Sequence, residues 1–416
     1  MRKGLLLGAG FSYDLGMPLA SEVTEIFLGI FNDENVKTLA AALCAPHLSP
    51  KDRPLNAQAM AAGFALLLDY KRAQGSNYKV FLTSLLALRG LPSPTQSDRD
   101  TYACLFGFFY EMIHTLLCLY QDASYALVYP TNRVRFGNLK SLLSSQEIWV
   151  FSLNHDLCFE YLALDSSIPI TYGDDGSLTF ALSNLDLESR ITFGTTQRRH
   201  VHADHPGFFK DRNGINLVKL HGGLSELEYK DGTFLCNLTL DKTSSQALAD
   251  DFRRSREMGY YRAGQKIGGG RDITVSTLDG NPDVLSKSML SGARKYNATA
   301  TLKRGEEKLR IFDDIAQRLD ELTIIGYGFE DSHINVRIAD ALATHAGLRI
   351  VIVDPRSQQT PDFLAPFDEG DRIQKAVCGA AQWMDFCATG EWKDALPEEN
   401  EGARSAVKTR VQSQLK

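Results

Sequence analysis

Three short segments carry the residue types with which a chain handles phosphates and sugars: Gly8-Ala9-Gly10-Phe11-Ser12, Ser152-Leu153-Asn154-His155-Asp156 and Lys219-Leu220-His221-Gly222. Glycines at 8 and 10 let the backbone turn tightly and approach a ligand closely. A helix that starts after such a turn offers unpaired N–H groups and the positive end of its dipole, which suits a pyrophosphate. An amide such as Asn154 holds hydroxyl groups and a water without being consumed. A carboxylate such as Asp156 favours positive charge that develops beside it. An imidazole, whose ordinary pKa is about 6.5, suits proton transfer near neutrality, and Gly222 leaves room beside His221. Each segment also has a plain structural reading. The first is a tight turn, Asn154 and Asp156 are caps of a helix starting near Leu157, and His221 is a turn residue. Their company in one chain favours chemistry. His155 is expected to point away from Asn154 and Asp156.

These residues need strands behind them. Gly4 to Leu7 is a short apolar run ending in glycines and reads as a buried strand. Pro18 to Phe31 follows with Leu19, Val23, Ile26, Phe27 and Ile30 at helical spacing. Glu147 to Leu153, Asn216 to Leu220, Leu322 to Ile325 and Arg349 to Val353 are further strands, each ending in polar residues or glycine. Ligands bind where the strands of an open α/β sheet end. The fold class is therefore α/β, a doubly wound, Rossmann-like parallel sheet, with a helical insertion lobe. Ala57 to Ala73, Tyr78 to Leu88 and Tyr102 to Tyr120 supply that lobe. The expected division is a core of residues 1–34 plus 146–390, with an irregular insertion at about 226–305, a mostly helical lobe at 35–145 and a tail at 391–416. The tail from Glu398 reads as frayed or a small helix, Ile168 to Gly214 as turn-rich and β-like, and Gly264 to Gly270 as a surface loop.

Of the 416 residues, 44% are hydrophobic and 23% charged, which describes a globular chain with a sizeable core. A net charge of -6 gives no support to direct nucleic-acid binding. Seven dispersed cysteines without a Cys-x-x-Cys pair read as reduced thiols, so a cytoplasmic location is expected. Tyr102 to Tyr120 has membrane-like composition, but Glu111 and His114 within it indicate a buried helix, and no membrane association is expected. His200, His202 and His205 have ligand-like spacing without helical phasing, and no metal is expected.

The glycine turn departs from the dinucleotide pattern G-x-G-x-x-G/A, since position 13 is Tyr. Instead, Gly8-Ala9-Gly10-Phe11-Ser12 followed by Gly16-Met17-Pro18 resembles the Gly-Ala-Gly-x-Ser, Gly-x-Pro opening of the sirtuin superfamily. Ser152 to Asp156 resembles that family's Thr/Ser-x-Asn-x-Asp motif, and His221-Gly222 its His-Gly motif. Gly326-Tyr327-Gly328 with Asp331 resembles a segment of bacterial sirtuin-like proteins that lines the adenosine side of the pocket. Asp354 falls where the family places a loop beside the adenine. The resemblance covers roughly residues 4–30, 147–225 and 320–360. It implies NAD as substrate, with Asn154, Asp156 and His221 catalytic. It further implies that Gly8, Ala9, Gly10, Phe11, Ser12, Pro18, Ser152, Gly326, Tyr327, Asp331 and Asp354 bind the cofactor.

The protein-deacylase branch of that family carries Asp-Phe-Arg soon after Gly-x-Pro and a four-cysteine zinc module. Leu19-Ala20-Ser21-Glu22 follows Pro18 here, and the paired cysteines are missing. The resemblance therefore points to the other branch, NAD glycohydrolase effectors of bacterial anti-phage defence that deplete cellular NAD. Alternatives are an NAD-dependent protein deacylase and a non-catalytic subunit that senses NAD or ADP-ribose. A homo-oligomer is expected, with the sensor on a separate polypeptide such as a HerA-type hexameric ATPase.

Overall fold

Strands buried on both faces read as continuous apolar runs, and strands in an open antiparallel sheet alternate. The chain contains both kinds, in two separate sheets. A computed structural model describes residues 2–45, 55–73, 77–90, 95–142, 147–289, 305–356, 359–368, 370–392 and 397–415. In chain order the strands are β1 (Lys3–Leu7), β2 (Glu147–Ser152), β3 (Ile170–Thr171), β4 (Gly176–Ser183), β5 (Asp186–Gln197), β6 (Gly214–Lys219), β7 (Glu226–Tyr229), β8 (Phe234–Leu238), β9 (Tyr260–Arg262), β10 (Gln265–Gly269), β11 (Asp272–Ser276), β12 (Pro282–Lys287), β13 (Glu321–Ile325), β14 (Arg349–Val353) and β15 (Ile373–Ala376). The helices are α1 (Ala9–Tyr13), α2 (Ala20–Gly29), α3 (Asp33–Leu43), α4 (Ala57–Arg72), α5 (Tyr78–Arg89), α6 (Gln96–Leu127), α7 (Tyr129–Asn132), α8 (Cys158–Asp165), α9 (Ser245–Glu257), α10 (Glu306–Ala316), α11 (Ser332–Thr344), α12 (Ala380–Thr389) and α13 (Pro397–Gln414).

The first sheet is parallel throughout, in the order β15-β14-β13-β1-β2-β6-β3. Leaving aside the short edge strand β3, the chain runs outward from β1 through β2 to β6. It then crosses back to β13, β14 and β15 on the other side of β1. That is a doubly wound, Rossmann-like sheet, and its strand order reverses between β1 and β13. Register aligns the strand ends in one row: Val353 beside Ile325, Ile325 beside Leu7, Leu7 beside Ser152, and Ser152 beside Lys219. Alternate strand residues feed two cores. Leu6, Phe151, Val218, Ile324 and Ile352 pack under α10 and α11. Leu7, Val150, Leu217, Ile325 and Val351 face the helices of the lobe.

The lobe is built on α6, whose buried stripe includes Leu105, Phe109, Ile113 and Leu116. By length and composition alone α6 is apolar enough to cross a membrane. Here α2, α4, α5 and α13 lie against it. Phe27, Phe31, Phe64, Phe81 and Phe109 meet with centroids 5.2 to 6.1 Å apart, mostly edge to face, the geometry aromatic quadrupoles favour. Asn32, Asn56, Asn77 and Thr95 cap α3, α4, α5 and α6 through their side chains.

The β-like character expected of Ile168 to Gly214 is observed in β4 and β5, whereas the insertion expected to be irregular at about 226–305 supplies strands β7 to β12 over its described residues. Together they form a second, antiparallel sheet, β12-β7-β8-β5-β4-β11-β10-β9. Because β11 also pairs with β12, six of its strands close into a ring. Gly264 and Gly270 occupy positive φ at the turns flanking β10 and Gly268 at positive φ within it, so the glycine cluster forms exposed strands and turns where a surface loop was expected. Of the two forms expected for the charged tail, frayed or helical, it takes the helical one: it forms α13, with Val407 and Val411 fully buried. Arg404 on α13 donates to the carbonyls of Tyr13 and Met17 at 2.7 and 2.9 Å, pairs with Glu22 at 2.8 Å, and lies 3.4 Å over the Tyr13 ring. The tail thus clamps the chain just after the glycine turn.

Candidate functional site

The aligned strand ends place the three motifs side by side. Gly8 and Gly326 each follow one residue beyond the row, and Asn154 and His221 each follow two beyond it. Asn154 donates through Nδ2 to the Gly8 carbonyl at 2.8 Å and to Ser12 Oγ at 3.1 Å. Ser12 Oγ in turn donates to Asp156 Oδ1 at 3.0 Å. Asp156 Oδ1 also accepts the Cys158 N–H at 3.0 Å, so it caps α8 while facing Ser12. Capping and chemistry are not exclusive here. Among the described residues nothing bonds Asn154 Oδ1, and it is the acceptor that the network leaves for a ligand. Ser152 Oγ accepts the Asn154 N–H at 3.1 Å and fixes the turn.

His221 is almost fully buried. The residue after it sits at φ +70°, where a Cβ would come within 2.5 Å of the Ser288 carbonyl, so only glycine fits. His221 Nε2 lies 3.3 Å from Nε2 of His333, at the start of α11. β6 and β13 are three strand spacings apart in the sheet, roughly 14 Å. The His221–His333 contact therefore spans the ends of β2 and β1. His155 lies toward the His221 turn. Its Nδ1 donates to the Gly222 carbonyl at 3.2 Å and its ring centre lies 6.5 Å from that of His221.

Several predicted cofactor contacts take other roles. The amides of Gly8 and Gly10 are not aimed at phosphates: they donate to the carbonyls of Ile325 and Gly326, both at 2.9 Å. A Cβ on Gly8 or Gly10 would fall 2.5 to 2.7 Å from the Gly326 backbone, and one on Gly326, itself at φ +64°, would fall 2.4 Å from Phe11 N. The glycines therefore let the β1 and β13 turns meet backbone to backbone at the switch point. The Phe11 side chain is fully buried, 5.6 and 5.7 Å from Phe136 and Phe159, and belongs to the core. Tyr327 is also buried, and its hydroxyl bonds Asn335 Oδ1 and the Asp331 backbone. Asp331 sits at the N-cap position of α11 without a side-chain cap bond, and its carboxylate gathers with His221 and His333. Pro18 is buried beyond α1, and Ala9 is half-buried beside Gly8. Asp354 ends β14 as expected, but its Oδ1 accepts the Arg356 N–H at 2.7 Å.

The site rests on buried charge that sequence reasoning missed. Lys219 Nζ pairs with Glu160 Oε1 at 2.7 Å and also donates to the Asp156 carbonyl. Lys308 Nζ pairs with Glu226 at 2.5 Å and donates to the Lys219 carbonyl at 3.0 Å. These pairs brace the strand end that carries His221. His205 is committed elsewhere: Nδ1 accepts the Gly207 N–H, so Nε2 donates to Asp175 at 3.1 Å.

A separate cleft of about 690 Å³ opens at the β3 edge, between Ile168–Thr171 and Asp241–Lys242. Asp174 lines it with Oδ1 buried and unpartnered. Burial pushes this carboxyl up to about 7, while the Asn237 amide opposes the shift. A carboxyl whose folded pKa is raised contributes stability fully below its ordinary value of 3.8. That contribution is lost as pH rises through about 7. Asp174→Asn is expected to melt higher than wild type, by more at pH 8 than at pH 5. Parallel melting curves at the two pH values would contradict this.

No protein-family model and no curated protein matches the chain. Solved structures give a weak likeness. A Sir2 homologue in complex with NAD is 12% identical, covering 98% of this chain and 91% of its own, with a TM-score of 0.36. A mutant Sir2 homologue with ADP-ribose is 11% identical, covering 98% and 93%, with a TM-score of 0.36. A structure described for the mechanism and regulation of Sir2 enzymes is 10% identical, covering 97% and 93%, with a TM-score of 0.34. The fold class is defined by the parallel sheet itself.

Proposed function

We propose that the chain is an NAD glycohydrolase that splits NAD and water into nicotinamide and ADP-ribose. The observation that carries this reading is the convergence of Asn154, Ser12, Asp156 and His221 at the switch point of a doubly wound sheet, where such folds take nucleotides. In the reaction the bond from the anomeric carbon to the nicotinamide nitrogen breaks, and its electron pair neutralises the pyridinium. Water oxygen bonds the anomeric carbon and gives its proton to His221. Asn154 Oδ1 holds the water or a ribose hydroxyl, and Asp156 supports the positive charge that builds on the ribose. By the motif resemblance, the physiological role proposed is NAD depletion in anti-phage defence, in a cytoplasmic homo-oligomer switched on by a separate HerA-type ATPase.

Chromatography of NAD incubated with the purified chain, with and without an acetyl-lysine peptide, tests the chemistry. Nicotinamide and free ADP-ribose without peptide are expected. Acetyl-ADP-ribose formed only with peptide would assign a deacylase. NAD binding without turnover, persisting when the ATPase is added, would assign a sensor.

A further inference from the structure

Two imidazoles with nitrogens at 3.3 Å and a carboxylate beside them form an arrangement that the proposed hydrolysis does not require. A ring nitrogen of His221, a carboxylate oxygen of Asp331 and a ring nitrogen of His333 all lie within 4.8 Å of one another. Among the described residues they are the only group of three or more His, Cys, Asp or Glu side chains gathered in this way. They come from two separate elements, the end of β6 and the first turn of α11. We propose that these three side chains bind a divalent transition-metal ion of the zinc type.

The spacing of the two ring nitrogens fits such an ion. Zinc holds imidazole nitrogen at about 2.0–2.1 Å, so two such ligands at a tetrahedral angle stand about 3.4 Å apart. The observed separation of 3.3 Å is that edge. Asp331 supplies a hard oxygen for the third position, giving a His, His, carboxylate set with one position left open. The ligands are held from behind. The Tyr327 hydroxyl accepts the Asp331 N–H and lies 3.1 Å from the Asp331 carbonyl, which fixes the backbone under the carboxylate. The glycine-only turn at 222 fixes the His221 backbone against Ser288. Such support from the layer behind the ligands is typical of built metal sites.

The site deepens the proposed reading and in one respect rests on it. An ion on His221 Nε2 takes the lone pair that proton transfer from water needs, so zinc would silence NAD turnover. Metal binding itself does not depend on that reaction. The test is titration of the metal-free protein with Co²⁺, followed by visible absorption and displacement by Zn²⁺. The expected result is one equivalent bound, weakened tenfold or more in His333→Ala and Asp331→Asn and unchanged in His202→Ala, whose side chain is exposed elsewhere. Asp331→Asn keeps the shape of the helix start and so separates loss of a ligand from loss of fold. Absence of a stoichiometric cobalt band in the wild type would overturn the proposal. So would a band that survives both substitutions undiminished. Because the cobalt band is read without NAD, a protein that binds metal yet leaves NAD intact would fail the hydrolase reading and keep this one.

Discussion

Asn154→Ala and His221→Ala are each expected to lower NAD turnover about 10²–10⁴-fold, the range for removing a positioned group that transfers or steers a proton. Asn154 is the hub of the network: its Nδ2 ties β2 to the Gly8 carbonyl and to Ser12, and its Oδ1 remains for the ligand. Alanine removes both functions. The fold should survive. A lost hydrogen bond costs about 1 kcal/mol, set against a stability of roughly 5–15 kcal/mol. His221→Ala removes the imidazole but leaves the glycine turn and the braced strand end in place. Groups that act on one transition state are not additive, so the double variant should fall little further than the worse single one. Turnover measured beside circular dichroism and melting curves checks this. Near-normal turnover in both single variants would sink the assignment.

The parallel core was legible because its signal is local. Gly4–Leu7, Glu147–Leu153 and Arg349–Val353 are apolar runs that end abruptly in glycine or polar residues, and strands buried on both faces read that way. The second sheet was illegible for the opposite reason. β10 and β12 are short and partly exposed, and glycines at 264, 268 and 270 look like loop punctuation, although they lie in β10 and its flanking turns. The candidate site was legible where single residues carry chemistry, as with Asn154, Asp156 and His221. It was less so where a residue type has two uses. Gly8 and Gly10 were assigned to phosphate approach and Gly326 to the adenosine side, and the structure uses all three for approach of one backbone to another. Tyr327 and Phe11 stand within motif segments, but their side chains face the core. His333 follows two residues after Asp331 and carries no sequence signal of its own, because only the crossover from β6 to α11 brings it to His221. Lys219 was quoted beside His221 yet given no role, since its partner Glu160 lies on a different element.

That pair sets the largest expected effect on stability. Lys219→Met is expected to destabilise the protein by about 3–5 kcal/mol, the usual cost of stripping one partner from a buried ion pair. Both side chains are buried, with exposures of 3% and 0%. Glu160 Oε1 would keep only the Tyr172 hydroxyl, at 2.7 Å, and Oε2 has no partner even with the lysine in place. A carboxylate so placed must either stay charged in an apolar surround or take up a proton, and both cost free energy. Adding Glu160→Gln to Lys219→Met removes the stranded charge and keeps an acceptor for Tyr172. The double variant should therefore recover most of the loss in a denaturant or thermal melt. Turnover should not recover with it, because the Lys219 Nζ that donates to the Asp156 carbonyl is still gone. Recovery of stability without recovery of activity would separate the two tasks of this lysine, as counter-charge to Glu160 and as a prop for the Asp156 strand end. If Lys219→Met alone melts like the wild type, the counter-charge task is refuted, and if it also turns over like the wild type, so is the prop.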